Sequence, residues 1–328
     1  NKDIRWEKTT TVNVGVDFAL FRHRLSGTIE YYNKYSVDLL AAINGSPTQG
    51  FGYTTLMTNN GKMVNRGVEI TLSGEIIRQK DFSWNASLLY AFNRNKVKHI
   101  SVQPSLWDSR ISMPTSYPMV GKPLYGIYAY KWAGLNENGD PQVYDAENNV
   151  TSGPARDYHA LVYCGTTVPI HNASLTNVLR YKGFEFSAML ILDAGHKLRS
   201  SNIPSINMSN GRITSTAKGI VDRWTQPGDV TDVPRLLFSN DTENFNTHRT
   251  ELYRYSDLFV YDASNIRLSN ISLAYRVPAH WCKKISLSGA RLQFNVENVA
   301  TFAFDSKANY DLGGKVKPNY VWGLYLNF

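Results

Sequence analysis

The sequence lacks any apolar run long enough for a transmembrane helix. Such a helix needs about 20 mostly apolar residues, and polar or charged residues interrupt every apolar stretch well before that length. Mean hydropathy is −0.33. A helical membrane protein is therefore excluded. A β-barrel is not excluded, because transmembrane strands alternate apolar and polar residues and give no strong hydropathy peak.

Cysteines and catalytic signatures are also scarce. The two cysteines, Cys164 and Cys282, are too few for a disulfide scaffold. There is no GxSxG, HExxH, P-loop or CxxC pattern, and the seven histidines do not have the spacing of metal ligands. We therefore expect no catalytic residue, no metal site and no cofactor. These absences favour a binding or transport protein over an enzyme.

The net charge of +8 does not by itself indicate a nucleic-acid partner. Lysine and arginine are scattered between strands and turns instead of forming one basic helix or stripe. We expect no nucleic-acid binding. The sequence opens at Asn1 in the approach to a strand and shows no signal peptide, which suggests a fragment of a longer precursor.

The main positive signal is alternation with a period of two residues. From Thr11 to Leu20 apolar residues occupy the even positions, and a tight connection at 22–24 leads to a second alternating segment. Together these two segments predict a hairpin. A phase slip between Ser264 and Tyr275 predicts one bulge residue. Further alternating segments are Val64–Ile76, Phe82–Phe92, Phe184–Leu192, Arg291–Glu297 and Tyr320–Phe328.

The connections between these segments are alternately short and long. The short ones lie near 22–24, 77–81, 181–183 and 276–285, and the long ones near 36–62, 96–171, 195–262 and 299–318. Outer-membrane barrels have this asymmetry, with short periplasmic turns and long outer loops. Aromatic residues also lie near the short turns, as an interfacial girdle requires: Phe18, Phe21, Phe82, Trp84, Phe184 and Phe186. A soluble β-sandwich also alternates, but these two features favour a membrane barrel.

The predicted fold class is all-β, an antiparallel transmembrane β-barrel formed as one domain over residues 1–328. Nine strands satisfy the alternation of connections, and a further pair at 124–134 and 140–144 would make eleven. Either number leaves an open sheet, which lipid does not tolerate, so other strands must close the barrel. The residues predicted to face lipid are Val14, Val16, Leu72, Leu88 and Leu324, and those predicted to face the lumen are Asn13, Asp17, Glu69, Asn85 and Asn295.

Several motifs follow one another along nearly the whole chain, and the most specific runs from Ser256 to Leu268. Others are Arg5-Trp6-Glu7-Lys8-Thr9, Asn59–Ile70, Phe92–Val97, Tyr181–Phe186 and Asp222-Arg223-Trp224. In their residues and their order, these motifs resemble the SusC/RagA-like TonB-dependent receptors.

The resemblance implies a barrel of about 22 strands around an N-terminal plug. This chain would be the C-terminal portion, about 9 to 11 strands, with the plug absent from it. It also implies an importer of oligosaccharides or peptides in the outer membrane of a Gram-negative bacterium. Its partners would be membrane lipid, a SusD-like surface lipoprotein, and the TonB complex through an N-terminal region absent here. A passive porin and a non-transporting β-sandwich adhesin remain alternatives.

Two segments depart from the family pattern. The acidic loop of many relatives is reduced here to Gly134–Asp140, and the last outer loop has Asn309–Leu312 in place of Asp-Pro-Glu. The first departure weakens any calcium site, because a glycine occupies the place of the first carboxylate.

Candidate ligand contacts are aromatic residues of the outer loops, because sugars and peptides both pack on aromatic rings. These residues are Trp107, Tyr117, Tyr125, Tyr128 and Trp224. By resemblance to other outer-membrane barrels, the last strand is a candidate signal for barrel assembly, carried by Trp322, Leu324, Leu326 and Phe328. The alternative is that these terminal residues only complete the aromatic girdle.

Overall fold

The computed structural model describes residues 4–44, 55–102, 108–153, 157–204, 206–209, 212–236, 247–312 and 317–328. The strands are β1 Lys8–Leu20, β2 Leu25–Asn44, β3 Thr55–Arg78, β4 Phe82–His99, β5 Gly126–Tyr130, β6 Trp132–Leu135, β7 Pro141–Tyr144, β8 Val150–Thr151, β9 Leu161–Thr166, β10 His171–Tyr181, β11 Phe184–Ala194, β12 Lys197–Arg199, β13 Ile206–Ser209, β14 Arg212–Thr216, β15 Val260–Asp262, β16 Asn265–Arg276, β17 Gly289–Ala303 and β18 Asn319–Asn327. The α-helices are α1 Ser109–Ser112, α2 Thr247–Arg254, α3 Ala279–Lys283 and α4 Asn309–Leu312. No helix of the described ranges has the length and apolarity to cross a bilayer.

Nine of the strands form one antiparallel sheet in the order β1-β2-β3-β4-β10-β11-β16-β17-β18. These are the nine strands that the alternation predicts. The additional pair proposed at 124–134 and 140–144 does not join this sheet, so eleven crossings is wrong for this chain. Those residues form β5, β6 and β7 instead, which belong to small separate sheets with β9 and β8.

The cross-strand register gives the sheet one apolar face and one polar face. One apolar row runs from Leu72 through Leu88 and Leu175 to Leu190 on four successive strands. One polar row runs through Ser26, Ser73, Ser87 and Thr176. Because directly opposed residues share a face and successive residues alternate, the register confirms the predicted division of residues between two faces. The five residues predicted to face lipid lie on the apolar face, and the five predicted to face the lumen lie on the polar face.

The apolar face is open to its surroundings. Val14 is 61% exposed, Trp322 is 79% exposed and Leu324 is 62% exposed. A β-sandwich would pack a second large sheet on this face, but the other sheets of the described chain have only two or three strands. The sheet therefore has the construction of a barrel wall, whose apolar face contacts lipid.

The short connections lie at one end of the sheet; three are tight turns, and the fourth, between β16 and β17, contains α3. Phe21, Arg22 and His23 have φ values of 54°, 56° and 66°, so the turn between β1 and β2 places three consecutive non-glycine residues in the left-handed region. Arg24 closes this turn by donating hydrogen bonds from Nη2 to the carbonyl oxygens of Glu75 and Ile76, at 3.2 and 3.1 Å. The turn is thereby joined to the neighbouring strand.

At the opposite end β2 and β3 continue far beyond the predicted strands. The segment 36–62 was expected to be a long loop, but β2 extends to Asn44 and β3 begins at Thr55. This expectation needs correction because backbone pairing continues past two register shifts near Ser36 and Leu39. Asp38, with a φ of 56°, lies at the first irregularity.

The predicted phase slip in β16 is confirmed. The register of β16 shifts between Leu268 and Asn270 against both neighbouring strands, so Ser269 is the extra residue. In β17 the facing irregularity contains Asn298, whose φ is 53°. The bulge restores the apolar face, because Leu268 and Ile271 then lie on the same side of the sheet.

The last strand, β18, pairs with β17 from Asn319 to Asn327.

Candidate functional site

The long connections fold together at one end of the sheet around a small hydrophobic core. We call this cluster the loop core. Its fully or nearly fully buried members are Tyr128, Tyr130, Val143, Ala160, Leu161 and Leu252. They come from the connection after β4 and from the connection after β11. Two segments that are more than 90 residues apart in sequence therefore pack as one unit.

Backbone contacts join these two connections directly. The amide of Tyr130 donates to the carbonyl of Tyr255 at 2.9 Å, and the amide of Trp132 donates to Oδ1 of Asp257 at 2.9 Å. Ser256, which is fully buried, forms a parallel bridge with Tyr130. Backbone groups that are removed from water must be hydrogen-bonded. Here the backbone of Tyr130, in the connection after β4, finds its partner in Tyr255, in the connection after β11.

Arg199, in β12, also joins the connection after β4 to the connection after β11. Its Nη2 donates to the carbonyl of Tyr128 at 2.6 Å, and its Nη1 donates to the carbonyls of Arg254 and Ser256, each at 3.4 Å. The guanidinium also lies 5.6 Å from the ring centre of Tyr255. One planar cation thus holds three backbone carbonyls of two different connections.

Asp140 forms a second junction, at the turn between β6 and β7. Arg235 donates to both carboxylate oxygens of Asp140 at 3.1 Å, and Nε of Arg249 donates to Oδ1 at 2.6 Å. Burial opposes ionisation of Asp140, but the hydrogen bonds from the two arginines outweigh it and hold the pKa of the carboxyl below its usual value.

This pairing also accounts for the reduced acidic loop at Gly134–Asp140. Oδ1 of Asn136 accepts hydrogen bonds from the amides of Asn138 and Asp140, each at 2.9 Å. The one carboxylate there that faces inward is already bound by two guanidinium groups. Both oxygens of this carboxylate are therefore already paired with cations of the protein itself.

The aromatic residues predicted to contact a ligand differ in how exposed their rings are. Trp107 lies outside the described residues. Tyr128 is 1% exposed, and its hydroxyl accepts a hydrogen bond from the amide of Met119 at 3.1 Å. Its ring therefore packs in the loop core and offers no surface to a ligand. Tyr125 is half exposed and Tyr117 partly buried.

Trp224 is partly buried against the turn that contains Gly139. A Cβ atom at Gly139 would lie 2.5 Å from the indole ring, and the φ of Gly139 is +74°. Both the close ring and the backbone conformation require glycine there. Trp224 thus contacts the folded connections after β4 and after β11, which we call the loop assembly. The binding roles of Tyr117, Tyr125 and Trp224 stay predictions.

The last outer connection is also tied to the assembly. Asp311, in α4, accepts hydrogen bonds from the hydroxyl of Ser200 at 2.7 Å and from the amide and hydroxyl of Ser201 at 3.0 and 2.7 Å. The departure from the family pattern at Asn309–Leu312 therefore still includes an acid that anchors this connection beside β12. No local pattern in the sequence predicts these long-range contacts of Asp311, Arg199, Arg235 and Arg249, because each joins residues far apart in the chain.

The polar face of the sheet carries charges at two heights. Glu30 and Glu69 oppose each other across β2 and β3. In the same row, Asp193 accepts hydrogen bonds from Nδ2 of Asn172 at 2.7 Å and from Nη2 of Arg267 at 3.0 Å. Closer to the short turns, Glu185 pairs with Arg180 at 2.8 Å and with Arg291 at 3.1 Å. This face therefore offers hydrogen-bonding groups to a polar solute at both heights.

Both cysteines are free thiols. Cys164 lies in β9, within the connection after β4, whereas Cys282 lies in α3, within a short connection at the other end. Burial raises the pKa of the Cys164 thiol to about 11. The thiol is therefore protonated at neutral pH and a poor nucleophile.

An open antiparallel sheet with one apolar face, one polar face and packed loops at a single end is the wall of a transmembrane β-barrel. The chain belongs to the TonB dependent receptor-like, beta-barrel family, whose model matches residues 1–299.

Individual relatives agree with this assignment. The chain is 25% identical to TonB-dependent receptor P3 of Formosa agariphila, over 99% of this chain and 33% of that protein. It is 25% identical to TonB-dependent receptor SusC of Bacteroides thetaiotaomicron, over 91% of this chain and 29% of that protein. The chain thus spans about a third of the length of these curated relatives.

A solved structure described as the RagAB peptide transporter has the same fold. It superposes with a TM-score of 0.77 and 22% sequence identity, covering 100% of this chain and 36% of that chain. The SusC-like identity suggested by the sequence motifs is therefore confirmed at the level of family and fold.

Proposed function

We propose that this chain forms part of the wall and outer loops of an active importer in the outer membrane of a Gram-negative bacterium. The observation that carries the proposal is the family match over residues 1–299. The apolar outer face and the charged inner face support it, because a polar solute can cross only along the inner face.

The cargo that we propose is an oligosaccharide or a peptide. Carboxylates, amides and guanidinium groups on the polar face offer both hydrogen-bond donors and acceptors, as at Asp193, Asn172 and Arg267. The half-exposed ring of Tyr125 lies at the loop end. An exposed ring with polar groups below it suits either kind of cargo.

We propose two partners for the complete protein. Energy would come from the TonB complex, and a SusD-like lipoprotein would cover the outer loops. The loop core supports the second partnership, because it gives the outer end a fixed shape on which a partner could rest.

Uptake by living cells tests the proposal. The gene is deleted, and growth is followed on defined oligosaccharides and on defined peptides as the only nutrient of that class. We expect loss of growth on one class, restored by the wild-type gene, and the same loss when the TonB complex is inactivated. Uptake that persists without TonB would make the protein a passive porin.

The proposed lipoprotein partner is tested separately. The full-length protein is purified from membranes with an affinity tag, and the lipoprotein encoded beside it is sought in the eluate. We expect the two in equal amounts. Purification of the receptor alone under mild detergent, with the lipoprotein present in the same membranes, would contradict the partnership.

A further inference from the structure

A cluster of basic residues lies on the outward face of the sheet, just beyond its apolar band. We call Arg66, Arg94, Lys96, Lys98 and Lys122 the outer basic cluster. Arg94 and Lys96 follow Phe92 at steps of two residues along β4, so they lie on the face that carries Phe92. Arg66 opposes Arg94 directly across β3 and β4. Lys122 joins the upper end of β4, where its carbonyl accepts a hydrogen bond from the amide of Val97 at 2.9 Å.

The height of this cluster can be obtained from strand geometry. On the outward face of β4, aromatic residues stand at both ends, Phe82 with Trp84 and Tyr90 with Phe92, and Leu88 lies between them. The ten steps from Phe82 to Phe92 rise about 34 Å along the strand, or about 26 Å along the membrane normal at a tilt of about 40°. That height equals the apolar band of an outer-membrane barrel, about 25 Å. Arg94, two residues beyond Phe92, therefore lies about 5 Å above the apolar band, at the level of the lipid headgroups.

Among the described residues, no carboxylate pairs with the charges of the cluster. Arg66, Arg94, Lys96 and Lys98 are exposed. Arg66 donates to Oδ1 of Asn33 at 2.9 Å, which is a neutral acceptor. In the described part of the chain none of these cations has a carboxylate partner, whereas Arg180, Arg267 and Arg291 on the inner face all do.

The same residues line a groove of about 660 Å³ that has an apolar lower part and a basic upper part. Its described lining contains no aspartate or glutamate. Lys122 lies 4.9 Å from the ring centre of Tyr163. Tyr31, Phe92 and Ile170 contribute apolar surface to the groove. An amphiphile with an anionic headgroup matches this arrangement in both shape and charge.

We propose that the outer basic cluster binds the phosphate groups of a lipid headgroup in the outer leaflet, where the lipid is a phosphorylated glycolipid. The proposal depends on the outer-membrane location proposed above, but on neither the cargo nor the energy source. Phosphate is the common chemistry, and the position at headgroup height on the lipid-facing side favours a lipid over free phosphate.

The test uses the full-length protein in nanodiscs of phosphatidylcholine that contain either phosphorylated lipid A or the same lipid after dephosphorylation. Lipid retained by the protein is counted by native mass spectrometry. We expect at least tenfold tighter retention of the phosphorylated lipid. Equal retention of the two lipids would overturn the proposal, and so would full displacement by millimolar inorganic phosphate, which would assign the cluster to free phosphate.

A matched pair of variants locates the site. The triple variant Arg66→Gln, Arg94→Gln and Lys96→Gln should lose at least tenfold in affinity for the phosphorylated lipid. The control Lys34→Gln, Lys80→Gln and Lys284→Gln also removes three exposed positive charges, from the inner face and the short connections, and should bind as the wild type does. An equal loss in both variants would reduce the effect to net charge and overturn the assignment.

Folding and location are checked independently of binding. Heat-modifiable migration on gels reports a folded barrel, and if the triple variant fails to fold, Arg94→Gln alone replaces it. Membrane fractionation tests the proposed location by itself. If the protein is found in the outer membrane but binds the two lipids equally, this inference is wrong and the proposed function is unaffected.

Discussion

In the described outer connections, Asp140 is a carboxylate that pairs with two arginines. It binds Arg235 and Arg249, which come from a connection about 100 residues away. Replacing it with Asn removes the charge and leaves two partly buried cations without a counter-ion. The two guanidinium groups would then be better hydrated if the connections separated, so the open state of the loops would be favoured over the packed state.

We expect Asp140→Asn to destabilise the loop assembly by about 1 to 3 kcal/mol. Hydrogen exchange of the amides in β6 and β7 measures this, because local opening is sensed there before the barrel melts. Asp145→Asn is the control, since Asp145 only accepts hydrogen bonds within its own exposed turn. Equal protection in Asp140→Asn and wild type would show that the pairing contributes nothing.

The lowered pKa of Asp140 predicts a dependence on acid. A carboxyl whose pKa is lower in the folded state stabilises that state fully above its unfolded value, about 3.9, and loses the contribution as pH falls through the folded value. We expect cleavage of the loops by pepsin to rise more steeply below about pH 3.9 in the wild type than in Asp140→Asn. Parallel curves for the two proteins would argue against this linkage.

Tyr125 is the predicted contact residue whose ring is most exposed in the described chain, at 50%. If it stacks on cargo, Tyr125→Ala should weaken cargo binding by about 1 kcal/mol, or roughly fivefold in Kd. Tyr125→Phe should retain most of the affinity because the ring remains. Calorimetry on the purified full-length protein measures both, and an unchanged Kd in Tyr125→Ala would remove this residue from the site.

At the scale of strands, the two faces of β4 predict opposite responses to the same substitution. Leu88 lies near the middle of the apolar band and Ser87 lies beside it on the polar face. We expect Leu88→Arg to cost about 2 to 4 kcal/mol and Ser87→Arg much less. Folding of the full-length protein into lipid vesicles, titrated with urea, gives both values. Equal costs would mean that the apolar face does not contact lipid.

The last strand carries a prediction about assembly. Trp322, Leu324 and Leu326 lie on the outward face of β18 and Phe328 follows it. If these residues are the assembly signal, deletion of Phe328 should reduce the amount of the full-length protein that reaches the outer membrane. Quantitative blotting of membrane fractions measures this. If the truncated protein reaches the outer membrane in normal amounts and at the normal rate, Phe328 is not part of an assembly signal and only contributes to the aromatic girdle.

Local sequence pattern predicted the sheet well and the loop assembly poorly. The period of two residues is imposed by one apolar face and one polar face, so it located most strands of the sheet and one bulge between Ser264 and Tyr275. β5 has no such pattern, because all of its residues from Gly126 to Tyr130 are buried. The contact between Asp140 and Arg249 has no local signature either, since it joins residues 109 positions apart.

At the scale of the whole molecule, the outer end is built differently from the membrane wall. The wall is held by ladder hydrogen bonds between neighbouring strands, whereas the loop core is a small water-facing globule with buried tyrosine and leucine side chains. We expect the two parts to respond separately to substitution, because few buried contacts are common to both.

The composition of the loop core has a consequence for the biogenesis of the protein. Its two halves precede and follow the hairpin of β10 and β11, so in the outer membrane proposed above they would reach the cell surface as separate stretches of chain. A folded globule cannot pass through a closing barrel, and neither half alone encloses Tyr128, Tyr130 and Leu252. We therefore expect the globule to form last, after β4, β10, β11 and β16 stand side by side. In a pulse-chase experiment, the moment at which these surface segments become resistant to protease would date the completion of this stretch of the wall.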